Sequence, residues 1–310
     1  MKIRHFLVPF VLMSLPVAFA EEENIPVGGD ETMDTEEVSD MPSDLTGSGE
    51  VRQAGEVPAM FRDDSALDDS HANQELGINV YTAPSISKIF DQLDNLPAIP
   101  EEYVLRNRPE KLPTDTGSLA LEMGYLLADG FIAVRSGHMN DIKPIALDLT
   151  RYGKAIGVGE KMNVHSASLL EHAEKGQLEE FKKILAATQS DVNAELAALR
   201  DPDLSHLLAL GGWVRALEAS AAAITRKFDA GQAAVIFYAD APAYFNEILA
   251  GLNPGTAKKL HVAEMSTLLE QMVQLMTLGK DEQPTQEKVK QLMDTAERLS
   301  TLAVGKGHEH

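Results

Sequence analysis

Asp129 stands in the run Leu126-Leu127-Ala128-Asp129-Gly130-Phe131-Ile132, an acid with apolar neighbours on both sides. A carboxylate in such a helix leaves water only with a partner, because an unpaired buried charge is very costly. Arg215 and Glu218 are placed the same way, in the apolar centre LLALGGWVRALEASAAAI. Glu122, and Arg135 one face over from Asp129, complete the set. Two chemistries are open. In one, a polar pocket lies between two central helices, Arg215 grips an anionic ligand, and Asp129 or Glu122 sets its orientation. In the other, Asp129 and Arg215 form a structural ion pair that fixes helix register. Trp213, the one Trp in the chain, is a core anchor on the second reading and a ligand platform on the first.

The remaining polar residues suggest less. His165 and His172 can share a helix face, and His261 with Glu264 spans one turn. Neither spacing matches a two-His zinc helix or a di-iron Glu-x-x-His pair, so no metal site is expected. There is no Gly-x-Ser-x-Gly elbow, phosphate loop or dinucleotide fingerprint, so no catalytic residue and no cofactor is assigned. With no Cys in the chain, thiol catalysis and disulfides are excluded. Met265, Met272, Met276 and Met293 read as core or as an adaptable binding groove.

The elements that must position these residues are helices. Aromatics make up 5% of the chain while Ala, Leu and Met are plentiful, a balance that favours helix. Ser118 to Gly137 predicts a helix buried all round, capped at Thr114 or Thr116. Asp203 to Phe228 predicts a second. Gly124, Gly130, Gly153, Gly211 and Gly212 lie inside predicted helices, where Gly costs about 1 kcal/mol relative to Ala. Close helix–helix approach is the simplest compensation. Gly124-Tyr125 and Gly212-Trp213 also echo each other at an offset of 88 residues.

Around this pair, Ile86, Ile89, Phe90, Leu93 and Leu96 form one helix face. Residues 101–106 form a short helix before a Pro-bounded loop. Ile142, Ile145, Leu149, Tyr152 and Ile156 form another face, closed by Gly157 and Gly159. Helices are further predicted over 166–175 and 178–199, through the apolar run at 233–249, and twice near the C-terminus. The fold class is all-α: one bundle-like domain of about eight to nine helices over residues 77–304, with a frayed end at 305–310.

The N-terminus carries an address. Lys2 and Arg4, the apolar stretch Phe6 to Val17 and the small-residue site Ala18-Phe19-Ala20 read as a secretory signal. Its removal takes away two bases and no acids, moving the formal charge from −21 to −23. No other stretch is expected to approach transmembrane length. Residues 21–76 follow as an acidic tail with too few large apolar residues to offset chain entropy, so disorder is expected there. Up to Glu75 that tail carries 17 Asp and Glu against Arg52 and Arg62. An acidic chain with no basic cluster argues against nucleic acid as partner.

The stretches GYLLADGFIAVRSG and LRDPDLSHLLALGGWVRALE resemble an uncharacterised family of secreted, all-helical bacterial proteins. The resemblance covers roughly residues 78–252. It implies a periplasmic or secreted location and a single helical domain, and no functional residue comes with it. The expectation is a non-enzymatic binding or scaffold protein that engages another protein. The alternative is an anionic-ligand binder lined by Asp129, Arg135, Trp213, Arg215, Glu218 and Glu122.

Overall fold

Two helices carry the architecture. The first, here α3 (Thr116–Arg135), is buried from Gly117 to Val134. The second, α7 (Pro202–Arg226), is buried from Leu204 to Ile224. Each packs against the other more extensively than against any other element. Asp115 begins α3, its carboxylate accepting from the Ser118 N–H at 2.8 Å. The cap is thus the acid lying between the two threonines expected for the role.

The computed structural model describes residues 86–93, 95–107, 111–198 and 202–303. The signal, the acidic tail and the frayed end read from the sequence lie outside these residues. Of the described part 79% is helical and none is strand. Before α3 come α1 (Ile86–Leu93) and the single turn α2 (Glu101–Val104). Between α3 and α7 run α4 (Met139–Ile156), α5 (Gly159–Glu174) and α6 (Leu178–Ala198). After α7 come the turn α8 (Ala230–Ala233), α9 (Asp240–Gly251), the turn α10 (Pro254–Ala257), α11 (Val262–Met276) and α12 (Gln286–Ala303).

The outer helices cover the pair in two groups. Helix α4 lies on α3, α5 on α4, and α6 on α5, with α6 also reaching back to α3 and α7. Helix α12 lies on α7, and α11 bridges α9 and α12. Helix α1 seats on α7, α6 and α3. The methionine stripe is core: Met265, Met272, Met276 and Met293 are all buried. The groove reading of those residues is thereby replaced.

Glycine explains how α3 and α7 approach so closely. A Cβ on Gly124 would come within 2.8 Å of Gly212 N and 2.9 Å of Leu208 C, both backbone atoms of α7. A Cβ on Gly211 would lie 3.0 Å from Leu121 C, backbone of α3. The two helices therefore touch backbone to backbone, which only residues without side chains allow. The echoed segments of the sequence are the segments in contact.

Three expectations shift. Gly157 alone closes α4, at φ 99°, and Gly159 opens α5, so α5 starts seven residues before the predicted Ser166. The run at 233–238 starts at the last residue of the turn α8 and continues as a 3-10 turn (Ala234–Ile236) before α9, not as a continuous helix. Its Val-Ile-Phe-Tyr sequence is a poor helix former. Finally, Thr116–Arg135 and Asp203–Arg226 are by length and composition apolar enough to cross a membrane, contrary to expectation. Both apolar windows are completely buried inside the protein, so they are read as a core pair. Their apolar character serves helix-on-helix packing on all sides.

Candidate functional site

The charged residues of the two core helices meet. Glu122, Tyr125 and Asp129 lie on one face of α3, at spacings of three and four residues. Arg215 and Glu218 lie one turn apart on α7. Arg215 Nε donates to Asp129 Oδ1 at 2.7 Å, and Nη1 to Glu218 Oε2 at 3.2 Å. Its Nη2 donates to the carbonyls of Tyr103 and Val104, at 2.7 and 3.2 Å. All three guanidinium nitrogens are thus engaged by protein, through four contacts. Arg215 is 1% exposed and Asp129 2%.

A second arginine completes the network. Arg106, just after α2, donates from Nε to Asp129 Oδ2 at 2.7 Å and from Nη2 to Glu122 Oε1 at 2.5 Å. Its guanidinium sits 5.1 Å from the Tyr125 ring centre, over the ring face. Asp129 is therefore held between two guanidinium groups, one oxygen to each. The segment 101–107 is clasped to the core from both sides: Arg215 reaches out to its carbonyls, and Arg106 reaches in.

Two guanidinium groups face three carboxylates. Burial raises the pKa of Glu122, with Arg106 opposing the rise. Burial likewise raises that of Glu218, opposed by Arg215. Burial opposes the Arg106 charge, but the Asp129 and Glu122 carboxylates outweigh it and raise its pKa. Glu122 Oε2 and the hydroxyls of Tyr125 and Tyr152 are buried with no hydrogen-bond partner among the described residues. Burial pushes both phenols above their ordinary range. Glu122 is consequently the carboxylate of the network whose second oxygen is buried and unengaged, while burial raises the pKa of Glu218 as well.

Arg135 stands apart from this network. It lies at the end of α3 and donates from Nη2 to the Leu96 carbonyl at 2.7 Å. Two hollows flank it, of about 260 Å³ and about 520 Å³, and share Arg135, Glu179 and Lys182 on their walls. The smaller one adds Phe90, Asp91, Phe131, Lys183 and Ala186. Phe90 and Phe131 are stacked at 5.0 Å. Trp213 is also outside the network: 4% exposed, it packs on Phe245 at 5.3 Å.

Of the six residues singled out from sequence, the structure gathers Asp129, Glu122, Arg215 and Glu218. It sends Arg135 to a surface cleft and Trp213 to the apolar core. The residue missed is Arg106, which lies in an irregular stretch where no periodicity selects one Arg from another. A signal existed: the two core helices carry three buried acids and only one buried Arg. Among the described residues no group of three or more His, Cys, Asp or Glu is placed to hold a metal ion. Comparison of the chain with protein families, with characterised proteins and with solved structures finds no match.

Proposed function

We propose that this chain is a non-enzymatic helical binding protein, exported to the periplasm or secreted, which engages an acidic segment of a protein partner at the Arg135 cleft. The observation that carries this reading is the cleft itself. In a chain of formal charge −21, Arg135, Lys182 and Lys183 line one hollow with an aromatic wall. Glu179 and Asp91 share the rim. Lys182 pairs with Glu179 at 3.7 Å and Lys183 with Glu180 at 2.7 Å. Such surface pairs are worth about 0–1 kcal/mol, so the amines exchange partners cheaply.

The other reading, an anionic ligand between the central helices, draws no support from Arg215, whose Nε, Nη1 and Nη2 all donate to protein acceptors. The test uses fluorescein-labelled peptides that carry one aromatic residue followed by two acids. Anisotropy should show saturable binding to the full chain that weakens with salt. Lys182→Glu with Lys183→Glu should weaken it by about tenfold or more, since two attractions become repulsions. Binding that these substitutions leave unchanged would end the reading.

A further inference from the structure

The larger hollow beside Arg135, of about 520 Å³, forms where helix ends meet rather than helix faces. Helix α3 stops at Arg135, Gly137 turns the chain at φ 76°, and His138 begins α4 with no side-chain capping bond. The start of α6 and the irregular stretch before α2 supply the remaining walls, through Leu178, Glu179, Ala98 and Ile99. Side chains interdigitate as ridges and grooves along helix faces, and that order is lost at helix ends. Space is left there that the core does not fill.

The volume falls in the range of small-molecule pockets, about 300–1,000 Å³. The walls offer both kinds of group such a pocket uses. Apolar surface is open at Ala98, which is exposed, and at Ile99 and Leu178, which are half-buried. Charges of both signs line the same hollow: Arg135 and Lys182, with Glu101 and Glu179. The Leu96 carbonyl accepts from Arg135 Nη2 at 2.7 Å and so fixes that guanidinium at the wall. Lys182 Nζ is 3.7 Å from Glu179, past hydrogen-bond length, and its side chain is 30% exposed. Glu101 meets His138 Nε2 at 3.1 Å with its side chain 79% exposed. An ammonium and a carboxylate can therefore both turn to a ligand at little cost.

Charge complementarity selects the ligand. A dianion would face Glu101 and Glu179 without compensation, and a simple cation would face Arg135 and Lys182. A molecule with one charge of each sign satisfies both pairs. An apolar side chain on that molecule would cover Ile99 and Leu178. We propose that the larger hollow binds a free apolar α-amino acid, its carboxylate at Arg135 and Lys182 and its ammonium at Glu101. The proposal stands independently of the acidic-peptide reading, because Glu101 and Ile99 line the larger hollow alone and Lys183 lines the smaller alone.

The test is equilibrium dialysis of the full chain against radiolabelled L-leucine and L-phenylalanine. Saturable one-to-one binding of at least one of them is expected. Two leucine analogues then dissect the recognition: isocaproate lacks the ammonium and leucinamide lacks the carboxylate. Each should compete about tenfold or more less well than unlabelled leucine or phenylalanine, the loss of one charged hydrogen bond. Lys182→Met and Glu101→Gln should each weaken amino-acid binding by about tenfold or more. Both side chains are solvent-accessible, and melting curves followed by circular dichroism should match the parent's. Lys183→Glu should leave amino-acid binding unchanged while it weakens the acidic peptide. Failure of both amino acids to saturate the protein would overturn the proposal. Isocaproate or leucinamide competing as well as the amino acid would also overturn it, as would binding that either substitution leaves intact. Peptide binding that still responds to Lys183→Glu would in each of those cases uphold the smaller hollow as a contact surface.

Discussion

Gly124→Ala is the most direct test of the central helix pair. The new Cβ would face Gly212 N at 2.8 Å and Leu208 C at 2.9 Å, and the Leu208 carbonyl oxygen closer still. These are backbone atoms of a buried helix, so no rotamer change relieves the contact. Atoms of this size pack at about 3.5–4.0 Å, so α3 and α7 must part by roughly 1 Å. Overpacking of this kind costs about 1–3 kcal/mol, and a rigid neighbour places it at the upper end. Better helix propensity returns about 1 kcal/mol. The parting also stretches the Arg215–Asp129 bond across the same interface, now 2.7 Å. Complete loss of such a buried pair costs about 3–5 kcal/mol, so even partial loss dominates the outcome. A net destabilisation of about 3–4 kcal/mol is expected, or about 6–16 °C in Tm for a domain of this size. Urea unfolding followed by Trp213 fluorescence reads it, because Trp213 is buried beside Gly212. Gly251→Ala is the matched control: nothing lies within 4 Å of its Cβ position, so it should be neutral or stabilising by under about 1 kcal/mol. A Gly124→Ala protein at least as stable as the parent, with an unchanged m-value, would refute the backbone-contact argument.

Arg215→Met should cost about 3–5 kcal/mol, because it leaves Asp129 and Glu218 buried without that cation; a calorimetric Tm equal to the parent's would show that the charge is dispensable for folding. Tyr125→Phe should be neutral or raise stability by about 1 kcal/mol, since it removes a buried hydroxyl that has no partner. A loss above about 1 kcal/mol in urea titration would count against that. His206, buried and hydrogen-bonded through Nδ1 to the Tyr244 hydroxyl, has its pKa pushed down to about 4 by burial, with Asp203 opposing. Because the folded pKa lies below the unfolded value of about 6.5, the unfolded chain binds the proton more readily between these values. Stability is therefore full above about pH 6.5 and falls by about 3 kcal/mol as pH drops through about 4. The stability difference between the parent and His206→Gln, measured by urea unfolding at each pH, should shrink by that amount; a pH-independent difference would contradict it.

The helical class, the two core helices and the function of their glycines were legible because each is a local or periodic property. A 20-residue apolar helix with an internal Gly announces burial and close approach whatever its partner. That Asp129 needed a partner was legible too, from the cost of burying a charge. Helix limits were harder where local signals compete, as at Gly159, which follows one helix end and begins the next helix.

What only the tertiary structure decided is which cations answer the buried acids and which stay at the surface. Arg106 and Arg135 are indistinguishable by composition. The first enters the core because the α2 segment lies against the middle of α3 and α7, where Arg215 holds its carbonyls and Asp129 and Glu122 accept from Arg106. The second falls at the last turn of α3, six residues beyond Asp129, where the helix leaves the core and α1 and α6 form a cleft around it. Periodicity in one helix reports how much of it is buried. It carries no information about what a distant segment brings to its side, because that depends on how the chain folds back on itself.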